Sequence, residues 1–173
     1  MGIDVDPAAM DPALTTLGTL AGARLKAHGL KLAAAESCTG GWIAMAITAV
    51  AGSSEWFERG FVTYSNEAKR EMLGVAQATL DAQGAVSEAS ACEMAQGAIL
   101  YSRAQIAVAV TGIAGPGGGS VTKPVGTVCF AWAGPGSRLR SETRLFQGDR
   151  EQVRRQTVIA ALQGIIEVLE ESR

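Results

Sequence analysis

The run Lys31-Leu32-Ala33-Ala34-Ala35-Glu36-Ser37-Cys38-Thr39-Gly40-Gly41-Trp42-Ile43-Ala44-Met45-Ala46-Ile47 decides the reading of the fold. Its first six residues form a short, mostly apolar stretch that reads as a buried strand over 31–36. Ser37 to Gly41 breaks it with small residues and two glycines. The apolar stretch 42–50 then reads as a helix packed on that strand. A strand turning sharply into a helix is the signature of α/β layering, and the rest of the chain extends it.

Upstream, Asp11-Pro12 opens a helix with proline at its first position. Leu14, Leu17, Leu20, Ala21 and Leu25 recur at helical spacing, and His28-Gly29 closes it. Downstream, residues 56–64 are aromatic and β-branched enough for a strand. A short helix follows over 66–73, capped by Ser65 or Asn66. Ser87-Glu88 opens another helix to about 102, with Ala91, Met94, Ala95, Ala98 and Ile99 on its buried side. The Ile-Ala-Val-Ala-Val core of 105–111 is the strongest strand in the chain. Residues 112–124 form a glycine-rich loop. Two strands over 125–133 and 140–147, joined through Gly134-Pro135-Gly136, read as an antiparallel pair. Asp149 with Gln152 makes a capping box for a last helix striped by Val158, Leu162, Ile165 and Leu169. The expected architecture is a three-layer α/β/α sandwich around a mixed sheet. It forms one domain over 11–173 behind a loose tail of 1–10.

Composition narrows the function. Of 173 residues, 15 are Lys or Arg and 17 are Asp or Glu, a net charge of −2 that argues against a broad nucleic-acid surface. Hydrophobic residues at 47% fit a packed core. The 21 glycines exceed the roughly 7% average, so some segment needs backbone freedom. Cys38, Cys92 and Cys129 are scattered, with no CxxC pair for zinc, and suit a reducing cytosol. The acidic start MGIDVDPAAMDPAL does not read as a secretory signal, and no run reads as a membrane span. The expected location is therefore cytoplasmic. The apolar last helix and small-residue surfaces point to a homodimer or a higher homo-oligomer.

A single histidine leaves His28 as the only imidazole for a Ser-His-Asp triad. It sits beside a helix stop, where a cation-capable residue complements the helix dipole, so catalysis has to use other groups. Two strand-to-helix turns are the candidates, because ligands of α/β folds bind at the carboxyl ends of strands. In the first, Ser37 is a candidate nucleophile, with Thr39, Gly40 and Gly41 supplying donors at a helix mouth for an anion or an oxyanion. The same residues also read as an ordinary cap and turn. A serine needs a base. Tyr64-Ser65-Asn66-Glu67-Ala68-Lys69 places Lys69 in the first turn of a helix, whose positive end and partial burial lower a lysine pKa. Lys69 then accepts the Ser37 proton, with Tyr64 orienting or relaying it. Alternatively, Lys69 is a solvated residue beside Glu67 and Glu71. Cys38 is the rival nucleophile, without an evident imidazole to activate it. The second turn, around Thr111, Gly112, Gly115 and Gly117, forms either an anion-binding nest or a flexible connection. It has neither the Gly-Lys-Ser/Thr ending of a P-loop nor a GxGxxG arrangement. Arg150 and Arg154, one helical turn apart, can reach a phosphate or serve structure; the structural reading is favoured.

Five segments in order carry a family resemblance. They are Glu36-Ser37-Cys38-Thr39-Gly40-Gly41, Arg59 to Lys69, Thr111 to Gly118, Lys123-Pro124-Val125-Gly126-Thr127-Val128, and Gly148-Asp149-Arg150. Together they resemble the CinA C-terminal-domain family, whose enzymatic members are nicotinamide-nucleotide amidases. The resemblance runs from about Leu14 to the C-terminus. It implies hydrolysis of nicotinamide mononucleotide to nicotinic acid mononucleotide and ammonia, within pyridine-nucleotide salvage. It also implies a serine mechanism without metal or cofactor, and assigns the family's serine, tyrosine and lysine to Ser37, Tyr64 and Lys69. Asn66 and the residues of both glycine turns are then expected to bind substrate. The extra molybdopterin-binding-like domain of larger members is not expected in a chain of this length. Two alternatives stay open: a nucleotide-binding module without turnover, and a serine amidase for another substrate.

Overall fold

The structure, a computed structural model, describes residues 11–171. The expected tail of 1–10 lies outside them. In chain order the elements are α1 (Pro12–His28), β1 (Leu32–Glu36), α2 (Trp42–Thr48), a single 3-10 turn (Ser53–Glu55), β2 (Phe57–Val62), α3 (Asn66–Leu73), α4 (Gln77–Gln83), α5 (Glu88–Leu100), β3 (Ile106–Gly112), β4 (Thr127–Gly134), β5 (Arg138–Leu145) and α6 (Arg150–Glu170). The expected three-layer sandwich with a mixed sheet is what forms. The five strands are ordered β2-β1-β3-β4-β5. β1 pairs in parallel with β2 and β3, while β3, β4 and β5 run antiparallel.

Side-chain alternation sorts the sheet into two unlike faces. Ile106, Val108, Val110, Val128, Phe130 and Trp132 pack with α1, α2 and α6. The intervening Ala107, Ala109, Cys129, Ala131 and Ala133 pack with α5, against Ala91, Met94, Ala95 and Ala98. Small residues on both sides let α5 lie close to the sheet. On the other face Phe130 and Trp132 stack at 5.5 Å, and the Trp132 indole N–H donates to the Ala161 carbonyl at 3.1 Å. The apolar residues of α6 are thus consumed in the core: Val158, Leu162, Ile165 and Leu169 are all buried. They no longer argue for a dimer.

The locally capped helices follow the sequence. Asp11, Ser65, Ser87 and Asp149 each accept a backbone N–H at a helix start, and Asp149 with Gln152 completes its capping box. The cap of α3 is therefore Ser65 rather than Asn66. Helix α4 was not foreseen. Its N-cap, Ala76, has no polar side chain to offer. Glu93 of α5 does the work instead, accepting the Ala76 N–H at 2.7 Å and the Thr79 hydroxyl. No helix among the described residues is long and apolar enough to cross a membrane.

Strand order places the site. The chain leaves β1 through α2 to β2 on one side, and reaches β3 on the other side through α3, α4 and α5. The carboxyl ends of β1 and β3 therefore flank a crevice where the winding direction reverses, the usual ligand position in such sheets.

Candidate active site

Ser37 follows β1 directly. Its N–H extends the ladder to the Val110 carbonyl at 3.1 Å, and the Thr63 N–H donates to the Glu36 carbonyl at 2.8 Å. The Ser37 turn is thus tied to both neighbouring strands. Gly41, at φ 101°, starts α2 in a backbone region that favours glycine, and offers no side chain to cap it. Glu36 supplies the cap from the strand. Its carboxylate is fully buried and accepts the Thr39 hydroxyl at 2.6 Å, the Ile43 N–H at 2.8 Å and the Ala44 N–H at 3.0 Å. Burying a carboxylate is tolerable only with such hydrogen bonds and the positive end of a helix. Glu36 locks the Ser37–Gly41 turn onto α2.

Lys69 enters from α3. Its side chain is 1% exposed, and Nζ donates to Ser37 Oγ at 3.0 Å and to the Thr63 carbonyl at 2.9 Å. Burial pushes the ammonium below its ordinary 10.5. Among the described residues, no carboxylate pairs with Lys69. The arrangement excludes the solvated-lysine reading and gives Ser37 an adjacent amine. His28 is exposed in the last turn of α1, which leads into the opposite end of β1. A five-residue strand, roughly 16 Å, separates that end from Ser37. Cys38 is buried, and burial pushes its thiol up to about 12, so it holds no thiolate near neutrality.

Ser37 and Lys69 share a cavity of about 200 Å³ with Tyr64, Asn66, Thr111, Gly112 and Arg150. Tyr64 is 62% exposed, and its hydroxyl accepts from Arg150 Nη2 at 3.0 Å rather than bonding Ser37 or Lys69. The Thr111 hydroxyl donates to the Ala85 carbonyl at 2.9 Å. Thr39, Gly40 and Gly41 line a second, larger chamber of about 530 Å³ with Trp42, Met45, Arg150, Glu151 and Arg154. The Gly40 N–H is engaged with the Ser37 carbonyl at 3.1 Å. Gly117 lies exposed and lines neither cavity.

The glycine-rich loop has a structural explanation. A Cβ at Gly112 would stand 2.7 Å from Val128 Cγ2, one at Gly119 would stand 2.7 Å from the Val125 N, and one at Gly115 would collide with Val125. These three glycines let the outgoing limb of the loop pack on its returning limb. The Ile113 N–H is taken by the Thr127 carbonyl and the Ser120 N–H by that of Lys123. Arg150, favoured as structural from sequence, instead joins the site: besides Tyr64 it grips the Gly115 carbonyl at 2.8 Å.

A family model of the CinA C-terminal domain matches residues 14–169. The chain belongs to the CinA C-terminal domain family. The resemblance carried by the five sequence segments is therefore borne out. The chain is 56% identical over 159 residues to "Nicotinamide-nucleotide amidohydrolase PncC" of Pseudomonas putida, covering 92% of this chain and 98% of that one. It is 55% identical over 153 residues to the protein of the same name from Escherichia coli, covering 88% and 93%. Among solved structures it resembles the competence/damage inducible protein CihA from Agrobacterium tumefaciens, with a TM-score of 0.89 and 46% identity over 93% of this chain and 98% of that chain. In this CinA domain the Ser37–Lys69 pair lies in the crevice with Thr111 and Gly112 at the carboxyl end of β3.

Proposed function

We propose that the chain hydrolyses the carboxamide of nicotinamide mononucleotide to nicotinic acid mononucleotide and ammonia, serving pyridine-nucleotide salvage. The observation that carries the reading is the 3.0 Å contact between Lys69 Nζ and Ser37 Oγ, in a chain 56% identical to a curated amidohydrolase of that specificity. In the neutral amine, Lys69 keeps one N–H on the Thr63 carbonyl and turns its lone pair to the Ser37 hydroxyl. Lys69 takes the proton and the Ser37 oxygen bonds to the carboxamide carbon. The C–N bond then breaks as the Lys69 ammonium returns the proton to the leaving nitrogen, releasing ammonia. Water, deprotonated in the same way, cleaves the resulting ester and restores Ser37. Tyr64 stands at the cavity mouth, where its hydroxyl accepts from Arg150 and keeps its own proton to donate toward the site. The backbone N–H groups of Thr39 and Gly41, which donate to no other described residue, are the donors offered to the oxyanion.

The test is ammonia release from nicotinamide mononucleotide by the purified chain and by Ser37→Ala. Release by the chain and none by the variant supports the reading. Binding without release assigns a nucleotide-binding module instead, and equal release by both proteins removes Ser37 as nucleophile.

A further inference from the structure

We propose that the chamber between α2 and α6 is a phosphoribosyl subsite, in which Arg150 and Arg154 take a phosphate monoester and Glu151 accepts a ribose hydroxyl. The inference deepens the proposed function and rests on it for the identity of the reacting group.

Size makes the first argument. Sites for drug-sized ligands span about 300–1,000 Å³. The cavity at Ser37, at about 200 Å³, is too small for a whole nucleotide, whereas the adjoining chamber, at about 530 Å³, lies within the range. Arg150 lines both, so a ligand with its amide at Ser37 passes Arg150 to reach the larger space.

Charge makes the second. Among the described residues, neither Arg150 nor Arg154 is paired with a carboxylate. Arg150 donates to the Tyr64 hydroxyl and the Gly115 carbonyl. Arg154 donates through Nε to the Cys38 carbonyl at 3.1 Å and through Nη2 to the Thr39 carbonyl at 2.9 Å, while its guanidinium lies over the Trp42 ring at 5.3 Å. Each guanidinium has five N–H donors and uses two, so both retain donors for an anion. Glu151 is the one carboxylate in the chamber lining, and it suits a sugar hydroxyl. The glycine loop at 112–119 is the competing phosphate site, but Gly112, Gly115 and Gly119 serve contact between its own limbs, and its Ile113 and Ser120 N–H groups are already taken by the returning limb.

Two measurements test the proposal. In the first, ribose 5-phosphate is titrated while tryptophan fluorescence is read. Trp56 and Trp132 are 2% and 1% exposed, so the response belongs to Trp42. A saturable change is expected with ribose 5-phosphate, not with ribose, and lost in Trp42→Phe. Arg154→Ala is expected to weaken it about tenfold to a hundredfold, as for a lost charge-assisted contact. No saturable change, or one that Arg154→Ala leaves intact, overturns the subsite. This readout needs no turnover, so it stands apart from a failure of the amidase reading.

In the second, kcat/KM is compared for nicotinamide mononucleotide and nicotinamide riboside. The ratio cancels damage to the Ser37 turn that affects both substrates. Met45→Asp, at an exposed chamber wall, and Arg154→Ala are expected to lower the ratio about tenfold or more, mainly through KM for the mononucleotide. Lys123→Ala, in the glycine loop, is expected to leave it unchanged. A ratio near one in the unaltered chain, or one lowered only by Lys123→Ala, overturns the proposal while leaving the amidase reading in place.

Discussion

The Lys69 amine stands 3.0 Å from Ser37 Oγ although 32 residues separate them, and the same nitrogen donates to the Thr63 carbonyl at 2.9 Å. Serine and lysine reach this contact because β1 delivers one and α3, folded over the opposite face of the sheet, delivers the other. Lys69→Ala is expected to lower turnover by about 10²–10⁴-fold, the range for a lost general base. Ammonia release at saturating substrate measures it. Rates within a few-fold of the unaltered chain would remove Lys69 from the mechanism.

The lowered Lys69 pKa sets the sign of two pH effects. In the proposed mechanism the neutral amine is the base, so kcat/KM is expected to rise with pH through an ionisation below the ordinary lysine value of 10.5. For stability, the unfolded chain binds a proton that the native chain lacks between the lowered value and 10.5. Within that window the lysine's contribution rises with pH, and below it the cost of the buried ammonium is present in full. Urea unfolding of the unaltered chain and Lys69→Met at several pH values checks this. The difference is expected to move in favour of the unaltered chain as pH rises from neutrality toward 10.5.

Glu36 links stability to the site. Glu36→Ala leaves the Ile43 and Ala44 N–H groups and the Thr39 hydroxyl without their acceptor. At about 1–3 kcal/mol for each buried donor left unsatisfied, the loss reaches roughly 3 kcal/mol or more. Glu36→Gln keeps one carboxyl-like oxygen but turns an amide NH₂ toward a backbone N–H, so it loses less. Urea midpoints are expected to fall in the order unaltered, Gln, Ala. Equal midpoints would mean that α2 does not depend on this cap.

Cys38 is expected to be inert. Burial holds its thiol protonated, with a pKa pushed up to about 12. Iodoacetamide at pH 8 should leave Cys38 of the native chain unmodified, and Cys38→Ala should retain turnover within a few-fold. Peptide mapping and the ammonia assay read the two outcomes. An acyl adduct trapped on Cys38 rather than Ser37 would reverse the assignment.

Gly97 tests the close approach of α5. Replacing glycine by alanine inside a helix usually stabilises by about 0.5–1 kcal/mol. Here a Cβ would collide with the Leu73 carbonyl oxygen at the end of α3, a backbone atom that cannot rotate away. Gly97→Ala is therefore expected to destabilise by about 1–3 kcal/mol, the cost of overpacking. A raised melting temperature would show that α3 and α5 can separate at little cost.

The amino-acid sequence alone determined the layered architecture and the helices with local caps, and it offered Ser37 and Lys69 as candidates beside a cap-and-turn and a solvated-lysine reading. Those features depend on residues a few positions apart: alternation along β3 and β4, Ser65, Ser87 and Asp149 at helix starts, Ser37 beside its glycines. What it left open depended on partners brought together from distant segments. Helix α4 is held by Glu93 of α5, and α2 is capped by Glu36 from a strand. The 112–119 glycines read equally as a ligand nest or a flexible connection because the returning limb that Gly112, Gly115 and Gly119 pack against is brought in by the fold. Arg150 looked structural because Tyr64 and the Gly115 carbonyl, 86 and 35 residues away, were not yet beside it. A hydrogen bond or a close contact needs proximity in space, and for these residues only the folded sheet and its covering helices supply it.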